Sequence, residues 1–312
     1  MHRETERRDV MKPKNAFLLF TAAFIWGIAF VAQSSAAEFI RPFTFNGIRC
    51  LIGGFTLLPL VLVSRCKRHL TLPQGEGFDK NPFFSPNELK TALLGGLCCG
   101  VCLCLGSTLQ QFGIEQTTVG KAGFITALYI VFVPIAGAVF LRKKIALPVI
   151  VSVILGLVGL FLLCITEQLS IGKGDFYVLL CSFAFTAHIL VIDYFSAKAD
   201  GVFLSCIQFF TCGIISLPFI FLMEKPEIDQ ILAAGVPILY AGVLSCGVAY
   251  TLQIVGQKNM NPTIASLILS LESVVSVLAG WVLLHQTLSG REIAGCIIMF
   301  IAIVIAQLPS RR

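Results

Sequence analysis

Ten apolar stretches of about twenty residues each follow one another along the chain, with only short polar interruptions between most of them. They fall at 15–33, 42–63, 91–111, 121–141, 146–165, 175–194, 203–223, 233–256, 263–284 and 291–308. A helix rising about 1.5 Å per residue needs about 20 apolar residues to cross the ~30 Å hydrocarbon core of a bilayer. Lipid offers backbone N–H and C=O groups no partner, so such a run crosses as a helix that satisfies itself. The pattern therefore predicts an all-α integral membrane protein with ten transmembrane helices. Composition agrees: 56% of the 312 residues are hydrophobic and 13% are charged, against about 25% charged in a soluble domain. Too few charges remain to coat a soluble surface. Collagen-like, disordered and nucleic-acid-binding classes are excluded, and the lipid bilayer is the first partner.

The net charge of +6 works as an orientation signal. The N-terminal tail 1–14 carries Arg3, Arg7, Arg8, Lys12 and Lys14. With that tail on the cytoplasmic side, the segments sharing its side hold 17 of the 23 Lys and Arg residues. The opposite side holds only Arg41, Lys121, Lys173, Lys225 and Arg291, and Arg49 lies inside the second span. Cytoplasmic loops carry such an excess, so both termini are expected in the cytoplasm, and a plasma-membrane location is expected. Trp26-Gly27-Ile28 continues through the region where a signal peptide would be cleaved, so the first span reads as retained.

The 12 cysteines sit almost entirely within the apolar runs, where a free thiol behaves as a small hydrophobe. The run Cys98, Cys99, Cys102, Cys104 has a face, 98 and 102, suited to two metal ligands. It contains no His or carboxylate and is surrounded by Gly95, Gly96, Gly100 and Gly106, the composition of close helix packing. No metal and no cofactor is expected.

The chain also contains itself twice. At an offset of 143 residues, 108–141 falls on 251–284 with 12 identities in 34 positions. Thr108-Leu109-Gln110 meets Thr251-Leu252-Gln253, and Ala136-Gly137 meets Ala279-Gly280. Two repeats, 15–165 and 175–308, each hold five spans. Five is odd, so the second enters the membrane inverted. Two inverted five-helix repeats with a site at the midplane between them are the architecture of secondary transporters.

Phe24-Ile25-Trp26-Gly27-Ile28 in helix 1, Phe45-Asn46-Gly47-Ile48-Arg49 opening helix 2, and Leu271-Glu272-Ser273 followed by Leu278-Ala279-Gly280-Trp281 in helix 9 resemble the EamA-type family of the drug/metabolite transporter superfamily. The resemblance covers nearly all of 14–308 and implies a five-plus-five layout. It also implies a central cavity built largely by helices 3, 4, 8 and 9, and carriage of small metabolites, amino acids or drugs, often outward. Two features depart from the family pattern. The Gly-Glu pair that commonly ends helices 4 and 9 reads Arg142-Lys143 and His285-Gln286 here, and the Pro that often follows the helix 9 Glu is Ser273.

Polar residues inside the spans mark candidate function, because lipid does not tolerate them unpaired. Glu272 lies about 13 Å into helix 9, close to the midplane. It suits a proton-coupling carboxylate or a counter-charge for a substrate amine, and equally a protonated carboxyl bonded to a neighbouring helix. Its symmetry mate is Tyr129. Thr126 and Tyr129, three residues apart, are expected on one helix face, opposite a polar lining from Glu272, Ser270, Ser273 and Ser276. Gln110 and Gln253 either bind substrate or tie helices together, with Tyr250 a turn before Gln253. Arg49 offers a bidentate fork to a carboxylate, or pins helix 2 to its neighbours. His188 suits a proton relay, Asp193 near it reads as interfacial, and Trp26 and Trp281 either line a cavity or pack.

Nucleophile, metalloprotease, nucleotide-binding and dinucleotide motifs do not occur in the sequence, so no enzymatic activity is expected. The expected function is secondary transport of a small-molecule substrate, amino acids or related compounds, outward and possible to couple to protons, by a monomer or homodimer. The alternatives are a multidrug carrier of lipophilic cations and a non-transporting membrane protein.

Overall fold

The computed structural model describes residues 13–71, 86–117, 119–141, 145–164, 172–283 and 289–306. The tail up to residue 12, residues 72–85 of the long loop, Arg142-Lys143 and His285-Gln286 lie outside them.

The described residues form ten crossing units. In the first repeat these are α1 (Pro13–Ala37), α2 (Pro42–Thr71), α3 (Pro86–Ile114), α4 in two halves (Val119–Thr126 and Tyr129–Leu141) and α5 (Leu147–Cys164). In the second they are α6 (Lys173–Phe195), α7 (Gly201–Phe219, extended by a π-turn Ile220–Glu224), α8 (Gly235–Gln257), α9 in two halves (Pro262–Leu269 and Leu271–Leu283) and α10 (Gly290–Ala306). The short helix Ile228–Ala233 joins α7 to α8. No strand occurs among the described residues.

Local chemistry sets the helix starts. Proline occupies the first position of α1, α2, α3 and of the first half of α9, where its missing N–H costs nothing and its fixed φ suits a helix. Asn261 caps α9 by accepting Thr263 N–H at 2.9 Å, and Asp200 caps α7 by accepting Phe203 N–H at 2.9 Å. The end of α7 reaches across to cap α2. Glu224 accepts from Phe43 N, Thr44 N and Thr44 Oγ1 at 2.9, 2.7 and 2.6 Å, placing a carboxylate at the positive end of that helix.

Packing follows the small residues. α3 seats Gly95 against Phe195 of α6, and Gly96 and Gly100 against Ile207 and Thr211 of α7. The glycines around the cysteine run thus serve helix contact, as expected. α1 crosses the second half of α9 at Gly27, where a Cβ would stand 2.7 Å from the Glu272 carbonyl oxygen. α5 pairs with α10 at one edge, and α2 pairs with α7. The perimeter is apolar: Phe140, Leu222 and Val236 are each more than three-quarters exposed, an arrangement that suits lipid and not water.

Three features differ from the sequence reading. α2 and α3 run on to Thr71 and back to Pro86, so both helices continue into the segment 64–90 expected as loop. α8 winds as a π-helix over Tyr240–Tyr250. Most important, α4 and α9 are each interrupted at mid-membrane. The first halves, Val119–Thr126 and Pro262–Leu269, occupy the same eight positions at the 143-residue offset. At the first break Leu128, Ile130 and Val131 N–H donate three residues back, and at the second Ser273 N–H donates to Ser270 O. The inverted repeat thus extends from sequence identity to backbone irregularity.

Candidate functional site

At the centre lies a cavity with about 500 Å³ of empty space, including the part that opens to the outside. Seven units contribute to its wall. α1 gives Trp26, Phe30 and Gln33, α2 gives Arg49, and α3 gives Gln110. The two halves of α4 give Thr126 and Tyr129, and α6 gives Phe185, His188 and Ile189. α8 gives Ser245, Tyr250 and Gln253, and α9 gives Leu269 and Glu272.

The middle of this wall lies on the pseudo-two-fold axis. Tyr129 Oη donates to Glu272 Oε1 at 3.0 Å, joining residues separated by 143 positions, the repeat offset itself. A residue that touches its own symmetry mate sits where the two repeats meet. Each stands ten residues from the start of its broken helix, about 15 Å in from opposite faces, hence near the midplane. Both are buried. Glu272 also occupies the first turn of the second half of α9, where aligned peptide dipoles favour a carboxylate.

The glutamine pair breaks the symmetry. Gln110 Nε2 donates to Thr126 Oγ1 at 3.2 Å, tying α3 to α4. The residue equivalent to Thr126 is Leu269, which has no hydroxyl. Gln253 is 2% exposed and its Oε1 has no partner among the described residues. Gln33 Oε1 is likewise buried without a partner.

Arg49 is 3% exposed. Its Nε and Nη2 both donate to Asn46 Oδ1 at 3.2 Å, and its guanidinium lies 5.0 Å from the Phe45 ring centre. Asn46 Oδ1 also accepts from Ser107 Oγ at 2.8 Å, while its Nδ2 donates to Thr108 Oγ1 at 2.9 Å. Neither arrangement neutralises the charge. A guanidinium and a carboxylate therefore line one low-dielectric cavity with no ion pair between them among the described residues. His188 Nε2 donates to Gln208 Oε1 at 3.0 Å. The rings of Trp26 and Tyr250 meet at a tilt of 58° with centres 4.6 Å apart, and Trp26 Nε1 donates to Ser245 O at 3.4 Å.

Of the expected site residues, the structure brings Glu272, Tyr129, Thr126, Gln110, Gln253, Tyr250, Arg49, Trp26 and His188 to this cavity. Ser270 and Ser273 do not line this cavity. Ser270 Oγ donates to Leu267 O at 2.7 Å and Ser273 Oγ to Gly123 O at 3.2 Å, while Ser276 Oγ donates to Ser273 O at 2.9 Å. Hydroxyls inside a membrane helix find backbone carbonyls before anything else. Thr126 and Tyr129 do not share one regular helix face, since the α4 break falls between them. Asp193 is half-buried near the end of α6, and Trp281 is half-exposed on α9, away from the cavity. Sequence reasoning missed Gln33, because its polarity closed the first apolar run and it read as the run's end. It also missed the role of Asn46 as the partner of Arg49, although an amide three residues before a buried Arg, on the same helix face, was a usable signal.

The pattern that defines the EamA-like transporter family matches residues 14–165 and again 172–307. A protein of Archaeoglobus fulgidus named as an uncharacterized transporter is 28% identical over 291 residues, covering 93% of this chain and 84% of its own length. The uncharacterized transporter YoaV of Bacillus subtilis is 21% identical over 287 residues, covering 90% of this chain and 92% of its own. A protein crystal structure superposes with a TM-score of 0.74 at 15% identity, over 95% of this chain and 96% of that one. That likeness establishes the fold alone.

Proposed function

The chain belongs to the EamA-like transporter family, and on that premise we propose that it is a secondary carrier of small metabolites, amino acids or related compounds, working by alternating access. Membership supports a membrane transporter. The substrate, the outward direction, proton coupling, cytoplasmic termini and a plasma-membrane location belong to the proposal. So do the two-repeat boundaries 15–165 and 175–308, and action as a monomer or homodimer.

The observation that carries it is the Tyr129–Glu272 hydrogen bond, on the axis between the repeats and in the wall of the central cavity. A site on the axis is reached equally by both repeats, so rocking one against the other exposes it to either face in turn. Glu272 is the acidic residue of that site. In its ionised form it holds a substrate ammonium, and in its protonated form it holds a proton instead. The two occupants exclude one another, which couples their opposite movements. Lowering the pH favours the protonated form and slows substrate exchange.

A second reading, efflux of lipophilic cations, draws on the aromatic wall of Trp26, Phe30, Phe185 and Tyr250, whose ring faces attract cations.

The test is counterflow in proteoliposomes against a labelled panel of amino acids and a quaternary ammonium dye, at two pH values, for wild type and Glu272→Gln. Exchange of one amino-acid class that depends on pH in the wild type and is lost or pH-indifferent in the variant supports the reading. Unchanged, pH-dependent exchange in Glu272→Gln removes Glu272 from the site.

A further inference from the structure

Gln253 presents a problem that the carrier reading alone does not solve. It is 2% exposed, it lines the cavity, and its Oε1 has no partner among the described residues. A buried polar group left unsatisfied costs free energy, and of the amide oxygens in that state among the described residues those of Gln33 and Gln253 line the cavity. The inverted repeat supplies the control. Gln110, the equivalent residue of the first repeat, is spent on Thr126. In the second repeat the equivalent hydroxyl is replaced by Leu269. Gln110 is tethered through its Nε2, and Gln253 lacks that tether and leaves its Oε1 without a partner among the described residues.

Position says what the free amide meets. Leu269 is the last residue before the α9 break, and Glu272 stands in the first turn beyond it. Thr126 holds the corresponding place beside Tyr129 in α4. Gln253 of α8 and Glu272 of α9 both line this cavity. A carboxylate oxygen and an amide oxygen on one wall are two acceptors, and they require a ligand with at least two donors. A quaternary ammonium has none; a primary ammonium has three.

We propose that Gln253 is a specificity-determining residue that accepts an N–H of a substrate's primary ammonium group beside Glu272, so that the cavity selects primary amines over their fully N-methylated counterparts. This rests on the reading of the cavity as a substrate site and decides between its two substrate classes. The aromatic wall packs the body of the substrate, and the two acceptors read its head.

Trp26 gives a direct signal, since the chain has two tryptophans and Trp281 stands away from the cavity. In a Trp281→Phe background, the purified protein is titrated with common amino acids, short alkylamines and their N,N,N-trimethyl derivatives while Trp26 emission is followed. Primary amines are expected to bind about tenfold to a hundredfold tighter than the trimethyl forms, the range of one hydrogen bond to a charged donor. In Gln253→Leu this preference falls to about twofold or less. Gln253→Met, which keeps the length of the side chain and removes the acceptor, lowers the preference in the same direction and stands in should Gln253→Leu fail to fold. The inference is overturned by equal wild-type binding of primary and trimethylated ligands, by no response to any primary amine, or by a preference that survives both substitutions. Counterflow in the same preparations separates the two claims. Selective binding without exchange refutes the carrier reading and leaves Gln253 in place. Exchange of primary and quaternary cations alike does the reverse.

Discussion

Gly27→Ala tests whether the crossing of α1 over α9 positions the site. Glycine at 27 lets α1 approach the second half of α9 so closely that an added Cβ would stand 2.4 Å from Val275 Cβ, 2.6 Å from Val275 Cγ1 and 2.7 Å from the Glu272 carbonyl oxygen. Ordinary van der Waals contact begins at 3.4 Å, so the helices must part by roughly 0.7 Å or more in a closely packed interior. Overpacking of this kind costs about 1–3 kcal/mol. Two of the three obstacles, Val275 Cβ and the Glu272 carbonyl oxygen, are fixed by the backbone, and no rotamer change relieves them. The displacement therefore moves the carboxylate away from Tyr129, whose 3.0 Å hydrogen bond tolerates little of it. The expected result is a lower melting temperature in detergent together with exchange slowed at least tenfold (about 1.4 kcal/mol). Adding Val275→Ala removes Cγ1 but keeps the Cβ at 2.4 Å, so it is expected to restore little of the stability and none of the activity. A Gly27→Ala protein with unchanged melting and exchange would refute this packing argument.

Three further outcomes are expected. Tyr129→Phe keeps the ring and removes the donor to Glu272, so exchange slows by about tenfold or more, and the double variant with Glu272→Gln is no slower than Glu272→Gln alone, because the pair acts as one unit; additive losses would separate them. Asn46→Ala leaves the buried Arg49 guanidinium without its amide partner and costs about 2–4 kcal/mol, read as a fall in melting temperature larger than that of exposed substitutions on α2. Glu224→Ala removes the cap from Phe43 and Thr44 and costs about 1–2 kcal/mol; a melt within error of the wild type would show that the cap adds nothing.

The spans were legible because hydrocarbon thickness imposes a length and composition that polar punctuation cannot disguise. The 143-residue repeat was legible through identities such as Gln110 with Gln253, and it put Tyr129 and Glu272 in register before any contact was visible. The interruptions of α4 and α9 were not legible. Ala127-Leu128 and Ser270-Leu271 contain neither glycine nor proline, so no local preference announces a break there, and tertiary context overrides propensity. The serines of α9 misled for a related reason: a small hydroxyl inside a helix bonds a carbonyl three or four residues back, and pattern alone does not tell this from a hydroxyl facing a cavity. The freedom of Gln253 was hidden as well, because it depends on which residue faces the amide across a helix contact.

Alternating access is the central claim, and trans-stimulation in sealed liposomes tests it most directly. Efflux of a labelled solute is followed with and without the same unlabelled solute outside. A carrier that must turn over its single midplane site is predicted to show saturable efflux that accelerates severalfold when solute waits on the far side. Flux that rises linearly with concentration and ignores the far side would contradict a site exposed to one face at a time.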